Sequence, residues 1–350
     1  MNLVSKLLKN NPFNFKKSQK KIFLNEIKRL NKFHLKNCNE YGKFIKFTHK
    51  LSLEKDIYEL PFIPARIFKL FNLKSLGKNL ITKKLVSSGT SGINSQIFLG
   101  NENALNQTKV LNQLFKYSVT PVRLPMLILE QSIKTEDKNI LNAKSAAING
   151  FSIYGKDHTF AINEKNGIDF RNLDNFLSKY RDNNFLIFGF TSSVYNFFNK
   201  LDKKKYFNDF KNSILFHGGG WKKLEHIKIS NAKFKSGLFK NFKIEKIINY
   251  YGMVEQTGSI FFECENNYFH TSVYSDIIIR DQKFNVLKNK NRGLVQLISI
   301  LPTSYPGHNI LTEDIGEIIG ENNCRCGRKG KYFKIHGRAK GSELRGCSNL

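Results

Sequence analysis

Between Phe185 and Phe216 the chain spells out a strand, a helix and a second strand, and that order constrains its fold more than any other feature. Phe185-Leu186-Ile187-Phe188-Gly189-Phe190 and Ser213-Ile214-Leu215-Phe216 are short, unbroken apolar runs that lead into Gly- or Ser-rich loops, the pattern of buried strands. Ser192 to Tyr206 has helical spacing between them. Strand, helix, strand predicts an α/β architecture, in which ligands gather at the carboxyl ends of the strands. Beyond about Ser275 the texture changes to Ile277-Ile278-Ile279, Leu294-Val295-Gln296-Leu297-Ile298 and Gly316-Glu317-Ile318-Ile319-Gly320, short strands that form a β-rich closing section.

The same reading divides the chain into an N-terminal helical segment (1–80), an α/β core (81–275) and the β-rich section (276–350). From Lys17 to Phe44, Phe23, Ile27, Leu30, His34, Cys38 and Tyr41 recur every three or four residues, which predicts one amphipathic helix with His34 and Cys38 in its core-facing stripe. Leu60-Pro61-Phe62-Ile63-Pro64 reads as an extended connector, because each proline disfavours helix at the residue before it. At 350 residues, and with 40% apolar residues, the chain can bury a core without disulfide staples and is not a disordered adaptor. Its apolar runs fall far short of the ~20 residues that span a bilayer. The basic stretch from Met1 to Lys9 lacks the apolar segment of a secretory signal, so a cytoplasmic protein is expected.

Lys and Arg number 57 against 28 Asp and Glu, a formal charge of +29. Such a balance raises the possibility of nucleic-acid binding, but the lysines are spread through every segment. The densest runs, Lys16 to Lys21 and Lys203-Lys204-Lys205, read as solvated faces or turns. No specific nucleic-acid partner is expected.

Ser87-Ser88-Gly89-Thr90-Ser91-Gly92 follows a predicted strand, Ile81 to Val86. Glycines let consecutive backbone N–H groups turn inward as an anion nest, and the hydroxyls add donors for phosphate oxygens. No Gly-Lys-[Ser/Thr] closes the loop, so it is not a Walker A motif. Downstream, Tyr250-Tyr251-Gly252-Met253-Val254-Glu255 sits after strand-like Ile244 to Ile248, Thr312-Glu313-Asp314 is placed ahead of a β turn, and Gly337-Arg338 lies near the end.

Together these segments resemble the core motifs of the adenylate-forming superfamily. His217-Gly218-Gly219-Gly220-Trp221-Lys222, Ser304-Tyr305-Pro306-Gly307-His308, Leu311-Thr312-Glu313-Asp314 and Glu343-Leu344-Arg345-Gly346-Cys347-Ser348 narrow the resemblance to the long-chain acyl-protein synthetases, the LuxE family. The resemblance implies the large-domain fold of adenylate-forming enzymes without their mobile C-terminal domain. It implies that Ser87 to Gly92 hold the ATP phosphates, that Glu255 binds the accompanying Mg2+, and that Tyr251 stacks on adenine. Gly218, Gly219 and Gly220 would line the adenine slot, and Asp314 with Arg338 would take the ribose hydroxyls. Two positions depart from the superfamily pattern: Asn94-Ser95 stand where the loop usually ends in a lysine, and Val254 replaces the usual threonine.

Five cysteines are an odd number and too sparse for a disulfide framework. Cys264, His270, Cys324 and Cys326 have the composition of a closed tetrahedral zinc site, with reduced core cysteines as the alternative. Cys347 shares a face with Arg345 in an extended segment, and a nearby guanidinium favours the nucleophilic thiolate. The family resemblance makes Cys347 the acyl acceptor.

The resulting expectation is an ATP-dependent ligase that activates a fatty carboxylic acid as acyl-AMP, moves the acyl group to Cys347 and then to an acceptor protein. A carboxylate-CoA ligase, or another ligase with a small-molecule acceptor, remains the alternative, and a non-catalytic nucleotide- or acyl-binding module is a further one. Chain length of the acid, the final acceptor, the pathway and the oligomeric state have no signature in the sequence.

Overall fold

A computed structural model describes residues 3–49, 56–87, 94–132, 140–221 and 229–339. The strongest sequence signal becomes the centre of the molecule. Strands β4 (Leu124–Ile128), β6 (Gly155–Phe160), β7 (Phe185–Phe190), β8 (Ser213–Gly218), β9 (Lys246–Tyr251) and β10 (Phe261–Phe262) form a sheet in the order β10-β9-β8-β7-β4-β6. All of its pairings are parallel except that of β10 with β9.

Alternation along β7 shows why this sheet is covered on both faces. Leu186, Phe188 and Phe190 pack with α2 (Lys17–Asn37), α5 (Asn101–Ser118) and α6 (Ala143–Ser152), whereas Phe185 and Ile187 pack with α7 (Phe170–Tyr180), α8 (Thr191–Lys200) and α9 (Asn231–Phe242). A strand buried on both sides needs no polar face, hence the unbroken apolar run. Full burial of one such Phe or Leu stabilises the fold by about 1.5–3 kcal/mol.

A smaller sheet, β3-β2-β5, joins β2 (Ile81–Val86), β3 (Gln96–Gly100) and β5 (Ile140–Asn142) beside this layer. The third sheet is antiparallel, β11-β15-β14-β13-β12, made from β11 (Phe269–His270), β12 (Ser275–Arg280), β13 (Gly293–Ser299), β14 (Asn309–Glu321) and β15 (Lys331–Arg338). Among the described residues no helix is long and apolar enough to cross a membrane.

Four local expectations need correction. The single helix expected from Lys17 to Phe44 is two, α2 and α3 (Asn39–Thr48), because Cys38 is extended at φ −128° and ψ 102° and ends the first helix. Helical periodicity continues through the break because each helix buries its own stripe, α2 with Ile27 and Leu30 in one cluster and α3 with Tyr41 and Ile45 in another. The helix after β7 stops at Lys200, and Tyr206 is instead held in a turn, its hydroxyl donating to Asp174 at 2.7 Å. The extended connector also contributes a strand, β1 (Ile63–Pro64), parallel to β14. Finally, Thr312-Glu313-Asp314 does not precede a turn but lies inside the 13-residue β14, where Asp314 is the register partner of Arg338 on β15. The short helices α1 (Leu3–Leu7) and α4 (Ile67–Leu70) complete the order.

Candidate active site

The carboxyl ends of β7, β8 and β9 open into a cleft of about 690 Å3. That volume lies within the range of about 300–1,000 Å3 common for small-molecule sites, and the location is the one favoured by parallel sheets. Its walls bring together Ser87, Gly219, Gly220, Tyr251, Glu255, Asp314 and Arg338, residues drawn from positions far apart in sequence.

Ser87 leaves β2 and is joined to Ser95 by two hydrogen bonds. Ser87 N–H donates to the Ser95 carbonyl at 2.9 Å, and Ser95 N–H donates to Ser87 Oγ at 2.8 Å. Ser88, Gly89, Thr90, Ser91 and Gly92, the rest of the expected phosphate loop, lie outside the described residues, as does Cys347. Glu255 comes from the short 3-10 turn Val254–Gln256 after β9, is buried, and accepts a 2.7 Å hydrogen bond from Ser95 Oγ.

The glycine segment divides its work. A Cβ on Gly218 would meet the Tyr250 ring and carbonyl at 2.6 Å, so Gly218 serves close packing of β8 on β9 and stands behind the cleft wall. Gly219 and Gly220, which face the cleft, have φ of +79° and +70°, a backbone region that costs other residues more.

Tyr251 is anchored at both ends. Its ring lies beside Phe261, Phe269 and Phe333, while its hydroxyl donates to Asp314 Oδ2 at 2.7 Å. Burial first, then the Asp314 charge and hydrogen bond, raise the phenol well above its ordinary pKa, so it stays a donor. Arg338 hydrogen-bonds Glu313 and stands 3.9 Å from Asp314 Oδ1. Asp314 and Arg338 thus adjoin as expected, with Glu313 as a partner that the motif did not reveal.

Thr191, His217 and Asn249 also line the cleft, and sequence reasoning assigned them no role. Their signal was position alone, at the ends of β7, β8 and β9. Thr191 Oγ donates to the Gly218 carbonyl and lies 2.9 Å from His217 Nδ1. Burial, reinforced by the Lys235 charge, lowers His217 to about 3, so its imidazole is neutral.

A second cluster lies where the two large sheets meet. The ligand atoms of Cys264, His270, Cys324 and Cys326 all lie within 4.8 Å of one another, with Cys264 Sγ 3.9 Å from Cys324 Sγ and Cys326 Sγ 3.3 Å from His270 Nε2. Desolvation raises the Cys264 thiol and pushes Cys326 up to about 12, and it lowers His270 to about 3.

Against known proteins, the model of the acyl-protein synthetase family LuxE matches residues 2–350. The chain belongs to this family. A long-chain-fatty-acid–luciferin-component ligase from Vibrio harveyi is 23% identical over 363 residues, covering 94% of this chain and 87% of the relative. Its counterpart from Photorhabdus luminescens is 32% identical over 82 residues, 23% of this chain and 66% of that protein. Among solved structures, an open conformation of 2-hydroxyisobutyryl-CoA ligase, in complex with 2-HIB-AMP and CoA, aligns with a TM-score of 0.66 at 14% identity over 92% of this chain and 75% of that one. ATP-bound MatB from Rhodopseudomonas palustris aligns at 0.50 and 12% identity, covering 75% and 49%. The fold is that of adenylate-forming ligases, and family membership makes this chain an acyl-protein ligase.

Proposed function

We propose that the ligase condenses a fatty carboxylic acid with ATP, captures the acyl group on Cys347 and hands it to a partner protein in the cytoplasm. The observation that carries this reading is the convergence of Ser87, Glu255, Tyr251 and the Asp314–Arg338 pair on one cleft. In the first step a carboxylate oxygen attacks the α-phosphorus of ATP and pyrophosphate leaves. In the second the Cys347 thiolate attacks the acyl carbon and AMP leaves, so a thioester replaces the mixed anhydride. The part of Cys347 rests on the Arg345-Gly346-Cys347 motif and on family membership.

Within the cleft, Ser87 and the residues to Gly92 would bind the phosphates. Gly219 and Gly220 would let a purine approach the backbone, with Gly218 shaping the slot from behind. Tyr251 would stack on the base, and Asp314 would accept ribose hydroxyl protons beside Arg338. Glu255 fits the role of Mg2+ ligand, being a buried carboxylate facing the cleft next to the Ser87 neck. The dication would supply charge neutralisation to the triphosphate.

We assign the Cys264, His270, Cys324 and Cys326 cluster to structural zinc. Tetrahedral bonds of about 2.0–2.3 Å place ligand atoms about 3.3–3.8 Å apart, close to the 3.3 and 3.9 Å separations here. The ion would tie the β10–β11 turn to the loop between β14 and β15.

ATP–pyrophosphate exchange with a panel of carboxylic acids, followed by labelled-acyl transfer, tests the reading. Cys347→Ser should retain exchange and lose hydroxylamine-sensitive labelling. Asp314→Ala should lower exchange by roughly 30-fold or more, the loss of about 2 kcal/mol of charged hydrogen bonding. No acid-dependent exchange from any acid would overturn the adenylation reading, and labelling retained in Cys347→Ser would overturn the relay.

A further inference from the structure

We propose that Glu313 is a positioning residue for the ribose end of the cleft: it holds the Arg338 guanidinium beside Asp314 and, through Arg338, sets how strongly the protein prefers a ribonucleotide to its deoxy analogue. The inference rests on the ribose assignment of Asp314 and Arg338 given above and adds the residue that keeps Arg338 in place.

Glu313, Asp314 and Arg338 all line the cleft. The two acids are neighbours on β14, yet they hold different donors. Asp314 Oδ2 accepts from the Tyr251 hydroxyl at 2.7 Å, whereas Glu313 Oε2 accepts from Arg338 Nη2. Arg338 Nε stands 3.9 Å from Asp314 Oδ1, beyond hydrogen-bond reach. Register makes Asp314 the residue opposite Arg338, but the hydrogen bond that fixes the guanidinium comes from Glu313. Arg66 Nε, 3.8 Å from Glu313 Oε1, faces the other carboxylate oxygen.

Ladder geometry does not aim this side chain. The β14–β15 register shifts between Ile315 and Gly316, and Gly337, immediately before Arg338, has φ of +107°. Glu313 instead grips this stretch twice: its carboxylate takes the guanidinium, and its carbonyl accepts from the N–H of Ala339 at 2.8 Å. A guanidinium is a planar fork, so one charge-assisted bond on Nη2, with the backbone held behind it, fixes the direction of its other donors. Among the described residues Arg338 Nε, though buried, has no hydrogen-bond partner. A ribose hydroxyl can donate to Asp314 and accept from Arg338 at once, and a deoxy sugar can do neither.

The test is calorimetric titration of AMP and of 2′,3′-dideoxy-AMP into full-length protein, paired with thermal melting. Wild type should bind AMP roughly 30-fold more tightly than the dideoxy analogue. Glu313→Ala should cut that preference by roughly fivefold or more and Arg338→Ala at least as much, while the double variant should match Arg338→Ala within about twofold, because one residue acts through the other. Should the alanine variant not fold, Glu313→Gln keeps the shape and removes the charge, and a drop of roughly threefold or more is expected, since a charged acceptor bonds about twice as strongly as a neutral one. A folded Glu313→Ala or Glu313→Gln protein with the wild-type preference overturns the proposal, as does a double variant in which the two losses multiply. Wild-type protein that binds both nucleotides alike, or neither, removes the ribose assignment and the proposal together. A wild-type preference that survives Arg338→Ala ends the proposal alone and leaves Asp314 as the ribose acceptor.

Discussion

His34 and Cys38 stand one helical turn apart, whereas Cys264, His270 and the Cys324–Cys326 pair come from one strand and two turns far apart in sequence, yet the scattered set converges and the adjacent pair does not. At His34 both ring nitrogens are engaged. Nε2 donates to the Pro302 carbonyl at 3.1 Å, Nδ1 accepts from Ser75 Oγ at 2.8 Å, and the ring stacks on His308. Cys38 Sγ donates to a carboxylate oxygen of Glu40 at 3.7 Å. Among the described residues neither belongs to a cluster of three or more metal-ligating side chains. In the second set, His270 Nε2 faces the Cys326 thiol, and all four ligand atoms surround one volume. Residue type nominates both sets; convergence of ligand atoms tells them apart.

Breaking the convergent cluster should have the largest effect. Cys324→Ser removes a thiolate from a set whose zinc affinity would be folding free energy, because the unfolded chain has no such site. The expected outcome is loss of about one bound metal per chain, with melting lowered by roughly 10 °C or more. Metal analysis and calorimetry on protein purified without chelator check this. A metal-free wild type would sink the zinc assignment and leave a cluster of reduced core cysteines.

What could be read in advance follows the same division. Strands β2 and β7 were legible to the residue, β7 because an unbroken apolar run bounded by loop residues carries its own ends, and β2, despite Lys83 and Lys84, because Ile81 to Val86 stops at a Ser- and Gly-rich segment. The break at Cys38 was not, because α2 and α3 each bury their own stripe and the periodicity hardly falters. Within the cleft, motifs nominated Glu255, Asp314 and Arg338 as members of one site, but no local pattern could pair Ser95 with Glu255 or Tyr251 with Asp314 across such separations. Likewise, Thr312 to Asp314 look like a polar turn, yet pairing on both sides holds them within a strand. Local chemistry was legible; partners set by topology were not.

An intermediate effect sharpens the contrast at His34. Burial holds this imidazole at about 3, against about 6.5 in an unfolded chain. Below pH 6.5 the unfolded state therefore binds a proton that the folded state refuses, and stability falls by about 1.4 kcal/mol per pH unit until the folded group itself titrates near 3. His34→Gln can keep a donor and an acceptor while removing the titration. Urea unfolding at pH 7.5 and 5.5 should show the wild type losing about 1.4 kcal/mol more than the variant. Because no metal enters this argument, the difference should survive a chelator; equal pH slopes would contradict it.

The smallest effect belongs to Cys38. The residue is 1% exposed, packs with Tyr41 and Ile45, and burial pushes its thiol above the ordinary cysteine range. A buried, neutral thiol is a small apolar side chain in practice, neither a nucleophile nor a ligand. Cys38→Ala then removes one sulfur from a packed cluster and should cost roughly 1 kcal/mol, read as a shift in the urea midpoint with an unchanged slope. Metal content, nucleotide exchange and the acyl label should all be those of the wild type. In native protein Cys38 should also resist thiol reagents until the chain unfolds. Loss of bound metal in this variant would overturn the distinction from the other side, showing that Cys38, despite its place at the end of α2, reaches a site built elsewhere.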